Sequence, residues 1–595
     1  MYLANLKIKG FKRLKDIEIN LKEATFLIGV NNSGKSSVLR AIEYLLSDRK
    51  INEDDFYSEM SKTNGQKEVA VGEVEIEGEF RNVPLEAVTW RGFKGRVFDY
   101  TPSEEETGKR IFYKKRWKLG KSPETYLKSY NKTLKPCYES VQNTDDLIDA
   151  GVHRDDVISL FGEAPTKVSF TKDKEKLDYL DILWDVGEEE IWFLNPGGIP
   201  ANVLSKLPRY LLIPADAAEY EIHEKNGALH KTLNELFKDV RDKSPNYVVI
   251  QDHLNQLAAE LDPQDDASDF GKMMADLNGL MGNVFPDASV HVTANLTNPD
   301  DVLVPKFEIQ MQSNVKTSVE NQGTGLIRST VFSLLRFRKQ WEDRHGDNRG
   351  LIIGFEEPEI FLHPSAANQL RDTIYDLAGK NSQIIATTHS PYMIDLSKKP
   401  RQMLIRFCKE DNQSVVNMFS VSEEFQKLQS NDKSYIKMLL KIDDYMARVF
   451  FCNYVVVVEG DTEEVFIKAT LSRLSKEDRV KILTNYEIIK ARGKPVIKSL
   501  VIYLQAMGIL PIVIHDSDSG TEGAEVSNPH IKAAVNDDAR LFVLENCIED
   551  VMGYPAPSSE KPYQAFKKSE GWDSYTEIPE KWREVFEAVF KLTSK

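Results

Sequence analysis

The 595-residue chain is long enough for roughly three or four domains with ample cores. Its 41% hydrophobic and 29% charged residues are those of a soluble globular protein, and its net charge of −16 excludes a uniformly basic DNA-coating protein while leaving room for a local basic groove. Four scattered cysteines (Cys137, Cys408, Cys452, Cys547) exclude a disulfide framework or a cysteine-paired zinc site and fit a reducing cytoplasm. No apolar run approaches the roughly 20 residues that cross a bilayer, and the N-terminus enters strand-like sequence at once, so neither membrane span nor signal peptide is expected.

Tyr2–Lys9 and Ile17–Leu21 alternate like half-buried strands joined by Gly10-Phe11-Lys12. Ala24–Val30 is a third strand. It runs into Gly29-Val30-Asn31-Asn32-Ser33-Gly34-Lys35-Ser36, a full GxxxxGK[ST] match followed by Ser37. The glycines let backbone N–H groups turn inward around phosphates, Lys35 reaches the β/γ-phosphates, and the Ser36 hydroxyl binds Mg²⁺. Val38, Leu39, Ile42, Leu45 and Leu46 recur at helical spacing and supply the helix this loop needs. ATP or a related nucleotide is expected here.

Val69–Phe80 reads as a plain alternating strand, and Asn143–Phe161 as charged helix. Arg110–Trp117 is basic and aromatic. It reads as a strand with one wet face, or as a grip on nucleic acid by charge and stacking. Tyr210–Pro214 is another buried strand. Three apolar stripes follow over 217–285, carried by Leu229 to Val240, Ile250 to Leu261 and Met274 to Val284; they predict a helical insert that dimerises or packs within the chain.

Phe307–Met311 suggests a strand, and Gln322-Gly323-Thr324-Gly325 opens the helix-patterned Leu326–Arg338, where Gly323 and Gly325 could cradle a γ-phosphate from a facing subunit. Leu351–Phe355 runs into Glu356-Glu357, a Walker B pattern in which Glu356 stands near Mg²⁺ and Glu357 polarises the attacking water. Gln383–Thr388 is a strand ending on His389, placed to sense the γ-phosphate. Residues 421–450 look like polar linker and then helix.

Val455–Val458 and Ile512–Ile514 are short apolar runs that fit strands buried on both faces. Each delivers carboxylates at its C-terminal end: Glu459 with Glu463, and Asp516 with Asp518. Open α/β sheets place ligands there. Gathered carboxylates repel unless a hard divalent cation, Mg²⁺ or Mn²⁺, lies between them. Thr462–Leu474 and Pro495–Met507 read as helices, Tyr486–Lys490 and Leu541–Leu544 as further strands of a parallel sheet.

The two acid-tipped strands resemble the toprim domain of topoisomerases, primases and a group of nucleases. The earlier motif set resembles ABC-type ATPase heads of the SMC and RecF class, with two departures: the Walker B aspartate is Glu356, and the signature lacks the serine-glycine-glycine run. Both together, in this order, resemble the overcoming-lysogenization-defect (OLD) nuclease family, which includes the nuclease subunit of the Gabija anti-phage system. The fold class implied is α/β multidomain, an ABC/SMC-like ATPase head with a helical insert followed by a C-terminal toprim domain. Its expected boundaries are 1–216 (ATPase, Walker A), 217–285 (helical insert), 286–420 (ATPase, Walker B), 421–450 (linker helix) and 451–595 (toprim).

The resemblance implies DNA cleavage with two divalent ions in the toprim site, a third ion accompanying ATP. It carries Glu459, Glu463, Asp516 and Asp518 over as metal-binding catalytic acids. It adds Glu549, with Asp550 and Glu545 as rivals, and a transition-state lysine, Lys561, with Lys567 and Lys568 as rivals. Implied partners are double-stranded DNA, further copies of the chain in a homodimer or tetramer, and a UvrD-like helicase encoded nearby; the implied location is cytoplasmic. A reading from another class, a non-cleaving ATPase clamp or sensor, predicts ATP-dependent DNA binding without metal-dependent nicking.

Overall fold

Alternation in the first strand, Tyr2–Phe11, buries Leu6 and Ile8 on one face, and the antiparallel Leu14–Asn20 adds Ile17 and Ile19 to the same core. Glu73–Arg81, Glu106–Lys118, Glu124–Leu134 and Trp184–Leu194 extend this sheet, with Phe98–Ser103 beside Glu106–Lys118. In this computed structural model residues 1–215 and 350–592 are described apart from short interruptions, with only scattered pieces between them.

The basic, aromatic stretch Arg110–Trp117 lies inside this sheet. Tyr113 and Trp117 face the core, together with Lys115, whose ammonium donates to the Ser47 carbonyl at 2.7 Å beyond the helix Lys35–Leu45. The opposite face is internally paired. Lys114 lies 3.5 Å from Glu75 and 4.5 Å from the Trp192 ring centre, and Arg116 is shared among Glu73, Glu75 and Glu124. Lys114 is 8% exposed while Arg116 is 25% exposed, so this face is partly wet, and its cations are engaged by carboxylates of the same sheet.

The second sheet carries the nucleotide motifs. Its strands are β1 (Ala24–Gly29), β2 (Arg209–Ile213), β3 (Leu351–Glu356), β4 (Ser382–Thr387), β5 (Gln402–Glu410) and β6 (Gln413–Phe419), in the order β2-β3-β4-β1-β5-β6. All pairs are parallel except β5–β6, and β1, β3 and β4 are almost wholly buried, as a sheet covered on both faces requires. Helix α1 (Lys35–Leu45) follows β1. Buried Gln383 on β4 ties the two sheets, accepting from the Leu3 amide and donating to the carbonyls of Leu3 and Lys22.

The region read as polar linker is helical from its start, at Val421–Lys427 and Ser430–Ile442, because Val421, Leu428, Ile436 and Leu439 are core residues. The C-terminal sheet is parallel throughout. It comprises β7 (Tyr454–Val458), β8 (Tyr486–Lys490), β9 (Ile512–Asp516) and β10 (Leu541–Leu544), ordered β8-β7-β9-β10. Helices α2 (Asp461–Arg473) and α3 (Lys494–Ala506) make the crossovers, and α4 (Lys561–Glu570) and α5 (Glu580–Phe590) complete the core around Trp582 and Phe586.

The chain divides into two compact units, Met1–Ala215 with Asp347–Lys595, and Asp216–Gly346. In the second, Gln310–Gln312 pairs antiparallel with Lys316–Ser318, which places a strand at the end of the predicted Phe307–Met311. The helical insert expected at 217–285 lies almost wholly outside the described residues, and Gly323 and Gly325 lie wholly outside them.

Candidate functional site

Two polar centres form at the C-terminal ends of the two parallel sheets. The first begins where β1 ends on Gly29 at φ +131, a position whose Cβ would collide with the Phe407 carbonyl of β5. Asn32 and Gly34 are also left-handed, and this winding brings the loop to the first turn of α1. Lys35 opens that helix, and its ammonium donates to the carbonyls of Gly29 and Val30 at 3.0 Å. Asn31, Asn32 and Ser36 are exposed, whereas Ser33 and Ser37 are buried.

β3 ends on Glu356, and Glu357 follows at φ +44, its amide bonded to the carbonyl and hydroxyl of Thr387 on β4 at 3.0 and 3.1 Å. His389 Nε2 lies 3.4 Å from Glu357 Oε1. Burial, reinforced by Lys35, lowers the imidazole pKa against the pull of Glu357, so the ring is neutral at neutral pH. Burial also lowers the Lys35 pKa, opposed by Glu357. Lys35, Glu357 and His389 therefore sense one another's charge across the sheet end. Glu359, which the sequence does not single out, accepts from the Thr388 hydroxyl at 2.5 Å and the His389 amide at 3.2 Å and so anchors the histidine loop. The alternation Glu357-Pro358-Glu359 was its only signal.

The second centre gathers acids from β7, α2, β9 and the turn after β10. Glu459 ends β7. Glu463 is buried at the start of α2 and accepts from the Gly460 amide at 2.9 Å. Asp516 ends β9, with Asp518 just beyond in a left-handed conformation (φ +51). Glu549 is wholly buried on the short helix Ile548–Val551.

Burial first, and then the charges of Glu463 and Asp518, raise the Glu459 pKa to about 7. Burial with Glu463, Glu459, Asp518 and Glu549 raises that of Asp516 to about 8, and burial raises that of Glu463. These acids share one electrostatic neighbourhood. Of the rivals, Glu545 is exposed and pairs with Lys581 at 2.7 Å, while exposed Asp550 accepts from Asn546.

Lys561, the first residue of α4, lies 3.5 Å from Glu549 with half its side chain exposed. Burial alone would lower its pKa, but Glu549 and Asp516 outweigh that and hold it raised. Lys567 lies over the Tyr563 ring, and Lys568 is exposed on the same helix.

A second lysine at this centre, Lys494, is one the sequence does not single out. It opens α3, is 5% exposed, and donates to the Asp516 carbonyl and the Asp518 carboxylate, each at 2.7 Å, and to the Ser517 carbonyl at 3.3 Å. Only Gly493-Lys494 after the strand Tyr486–Lys490 hinted at it.

No three His, Cys, Asp or Glu side chains among the described residues stand at the spacing of a ready-made metal site. The fit to a hard cation lies in the donor chemistry: Glu459 Oε2, Asp516 Oδ1 and both Glu549 oxygens are buried without a hydrogen-bond partner. Oxygen atoms so placed suit Mg²⁺ or Mn²⁺.

An AAA ATPase domain model matches residues 1–394, and an overcoming lysogenization defect protein-like TOPRIM domain model matches 450–518. The Old nuclease of Escherichia phage P2 is 22% identical over 532 residues, covering 87% of this chain and 77% of that protein. The OLD nuclease of Thermus scotoductus is 24% identical over 300 residues, 47% of this chain and 54% of its own length. Endonuclease GajA of Bacillus cereus is 22% identical over 309 residues, 49% of this chain and 44% of its own length. Among solved structures, an SMC head bound to the C-winged helix domain of ScpA aligns with a TM-score of 0.35 and 15% identity, covering 72% of this chain and 100% of that one. The first domain model spans most of the chain and the second the strands that lead to Glu459, Asp516 and Asp518, so the chain belongs to the AAA ATPase-domain family and carries an overcoming-lysogenization-defect protein-like TOPRIM domain.

Proposed function

We propose that the chain is an ATP-regulated, divalent-metal-dependent DNA endonuclease of prokaryotic anti-phage defence that cuts phosphodiester bonds at its C-terminal acids. The observation that carries this reading is the convergence, at one end of a parallel sheet, of buried carboxylate oxygens of Glu459, Asp516 and Glu549 that accept no hydrogen bond, with half-exposed Lys561 3.5 Å from Glu549. Glu459, Glu463, Asp516, Asp518 and Glu549 would hold Mg²⁺ or Mn²⁺, two ions by the family pattern. Bound there, such ions supply Lewis acidity to a phosphoryl oxygen and a water of lowered pKa. Lys561, free to leave its single 3.5 Å pairing, offsets the charge that develops on the phosphate.

At the other centre, the backbone amides of Gly29–Ser37 and the Lys35 ammonium bind the nucleotide phosphates, and Ser36 with Glu356 would hold its cation. Glu357 orients the attacking water, and neutral His389 donates toward the γ-phosphate. Gly323 and Gly325 of a facing copy would complete this pocket in a homodimer or tetramer. A route for regulation runs through the loop after His389. Pro391–Met393 packs on Asp444–Phe450, where Arg448 bonds Tyr392 and lies 3.5 Å from Glu487 on β8. A nucleotide shifts the nuclease only if that loop differs between bound and free states. Double-stranded DNA is the substrate, and a helicase encoded nearby is a candidate partner.

Supercoiled plasmid incubated with the full chain, Mg²⁺ or Mn²⁺, and with or without ATP tests the reading. Metal-dependent nicking that Asp516→Ala abolishes is the expected result; cleavage retained by that variant would remove the acids as the centre.

A further inference from the structure

Five carboxylates share the C-terminal centre with two cations, Lys494 and Lys561, and the two lysines are held very differently. Lys561 is half exposed and has one ionic partner at 3.5 Å. Lys494 is buried, and two of its three acceptors are backbone carbonyls, of Asp516 and Ser517, which remain available to it whatever binds the carboxylates. Its third acceptor is Asp518 Oδ2 at 2.7 Å.

The backbone shows how it is aimed there. Arg492 and Gly493 are both left-handed, at φ +57 and +127, an unfavourable geometry for the arginine. That turn is pinned to β7, since the amides of Ala491 and Gly493 donate to the carbonyls of Val458 and Glu459 at 2.9 and 3.1 Å. One short segment is thus fastened by its backbone to the Glu459 loop and by its first side chain to the Asp516–Asp518 loop.

Resting on the cation-centre reading above, we infer that Lys494 is a built-in counter-cation and positioning residue. It fixes the turn that carries Asp518, and its positive charge sets how tightly the centre holds a divalent ion. The two roles act oppositely on cation affinity. Loss of the ammonium loosens the turn, which weakens binding. It also removes a positive charge that stands 2.7 Å from Asp518 Oδ2 and acts on Glu459, which strengthens binding. Between charges this close in a partly water-excluded site the Coulomb effect exceeds a factor of ten, so it prevails.

The experiment uses the metal-free full chain without nucleotide, titrated with Mn²⁺ and followed by electron paramagnetic resonance of the free ion. Asp516→Asn defines the part of the binding that belongs to the acids. In Lys494→Met and in Lys494→Gln, which keeps a hydrogen-bond donor, that part tightens about tenfold or more, while Lys494→Arg leaves it within a factor of about three. In parallel, hydrogen exchange at the Ser517 and Asp518 amides speeds up in Lys494→Met and not in Lys494→Arg. Unchanged or weaker Mn²⁺ binding in the two neutral variants overturns the inference, as does tightening in Lys494→Arg. Equal Mn²⁺ binding by wild type and Asp516→Asn instead overturns the reading of the acids as a cation centre.

Discussion

Removing the charge of Asp516 should make the metal-free protein more stable, by an amount that grows with pH. Burial and four neighbouring carboxylates raise this pKa from 3.8 to about 8, so the folded state holds a proton that the unfolded chain has released. For an acid shifted upward, stability is greatest below the unfolded value, falls as pH rises, and levels off above the folded value. A shift near four units corresponds to roughly 6 kcal/mol once pH exceeds both values, of which about 4 kcal/mol has been lost by pH 7. The proton is shared with Glu459 and Glu463, so the share removed by changing one residue is about half, roughly 2–3 kcal/mol. Asp516→Asn has nothing to ionise there. With metal chelated, its advantage over wild type should widen by that amount between pH 5 and 8.5. Native-state hydrogen exchange at the Val513 and Ile514 amides of the same strand reads the difference locally. Saturating Mn²⁺ should close the gap, because only wild type gains stability from binding it. A gap that stays constant with pH, or a less stable variant at pH 8.5, would refute the reasoning.

Further expectations are tied to single contacts. Lys35→Ala should weaken ATP binding by about 3 kcal/mol, more than a hundredfold, on loss of a charge-assisted phosphate contact, measured with a fluorescent nucleotide. A Cβ at Gly354 would fall on the Tyr210 hydroxyl, which donates to the Leu39 carbonyl at 2.9 Å; Gly354→Ala should therefore cost about 1–3 kcal/mol in denaturant unfolding. Most of that loss should disappear in the Tyr210→Phe background, and an additive double variant would contradict the contact. Trp582 is wholly buried and bonds Thr470 at 2.9 Å, so Trp582→Ala should cost about 3–5 kcal/mol in calorimetry. Lys561→Met should lower plasmid cleavage about 10²–10³-fold with Mn²⁺ affinity no weaker than wild type; undiminished cleavage would transfer the role to another cation.

How far the sequence could be read depended on whether neighbours in the chain or neighbours in space decide a residue's part. Val455–Val458 and Ile512–Ile514 are buried on both faces, so their strands stand out as apolar runs whose ends locate Glu459 and Asp516 directly. The Gly29–Ser36 loop is equally local, since left-handed turns and a helix start are written into adjacent residues. Glu549 was harder, being one of three candidate acids close together. Their places in the fold separate them: the short helix Ile548–Val551 turns Glu549 inward, while Glu545, before that helix, reaches Lys581 on α5 and Asp550 meets Asn546. The Arg110–Trp117 stretch stayed open because its cations are matched by Glu73, Glu75 and Glu124 from two other strands, a pairing that only register reveals. Helix Val421–Lys427 read as linker because its apolar residues are few, and their burial depends on packing partners far along the chain, such as Tyr503 against Phe425. Lys494 is the extreme case. Nothing in its own segment marks it as more than the start of a helix, and its importance comes from two left-handed residues that turn it toward acceptors some twenty positions away. A buried charge is justified by partners in space, so the residues hardest to read from sequence are those whose removal should disturb this centre's electrostatics most.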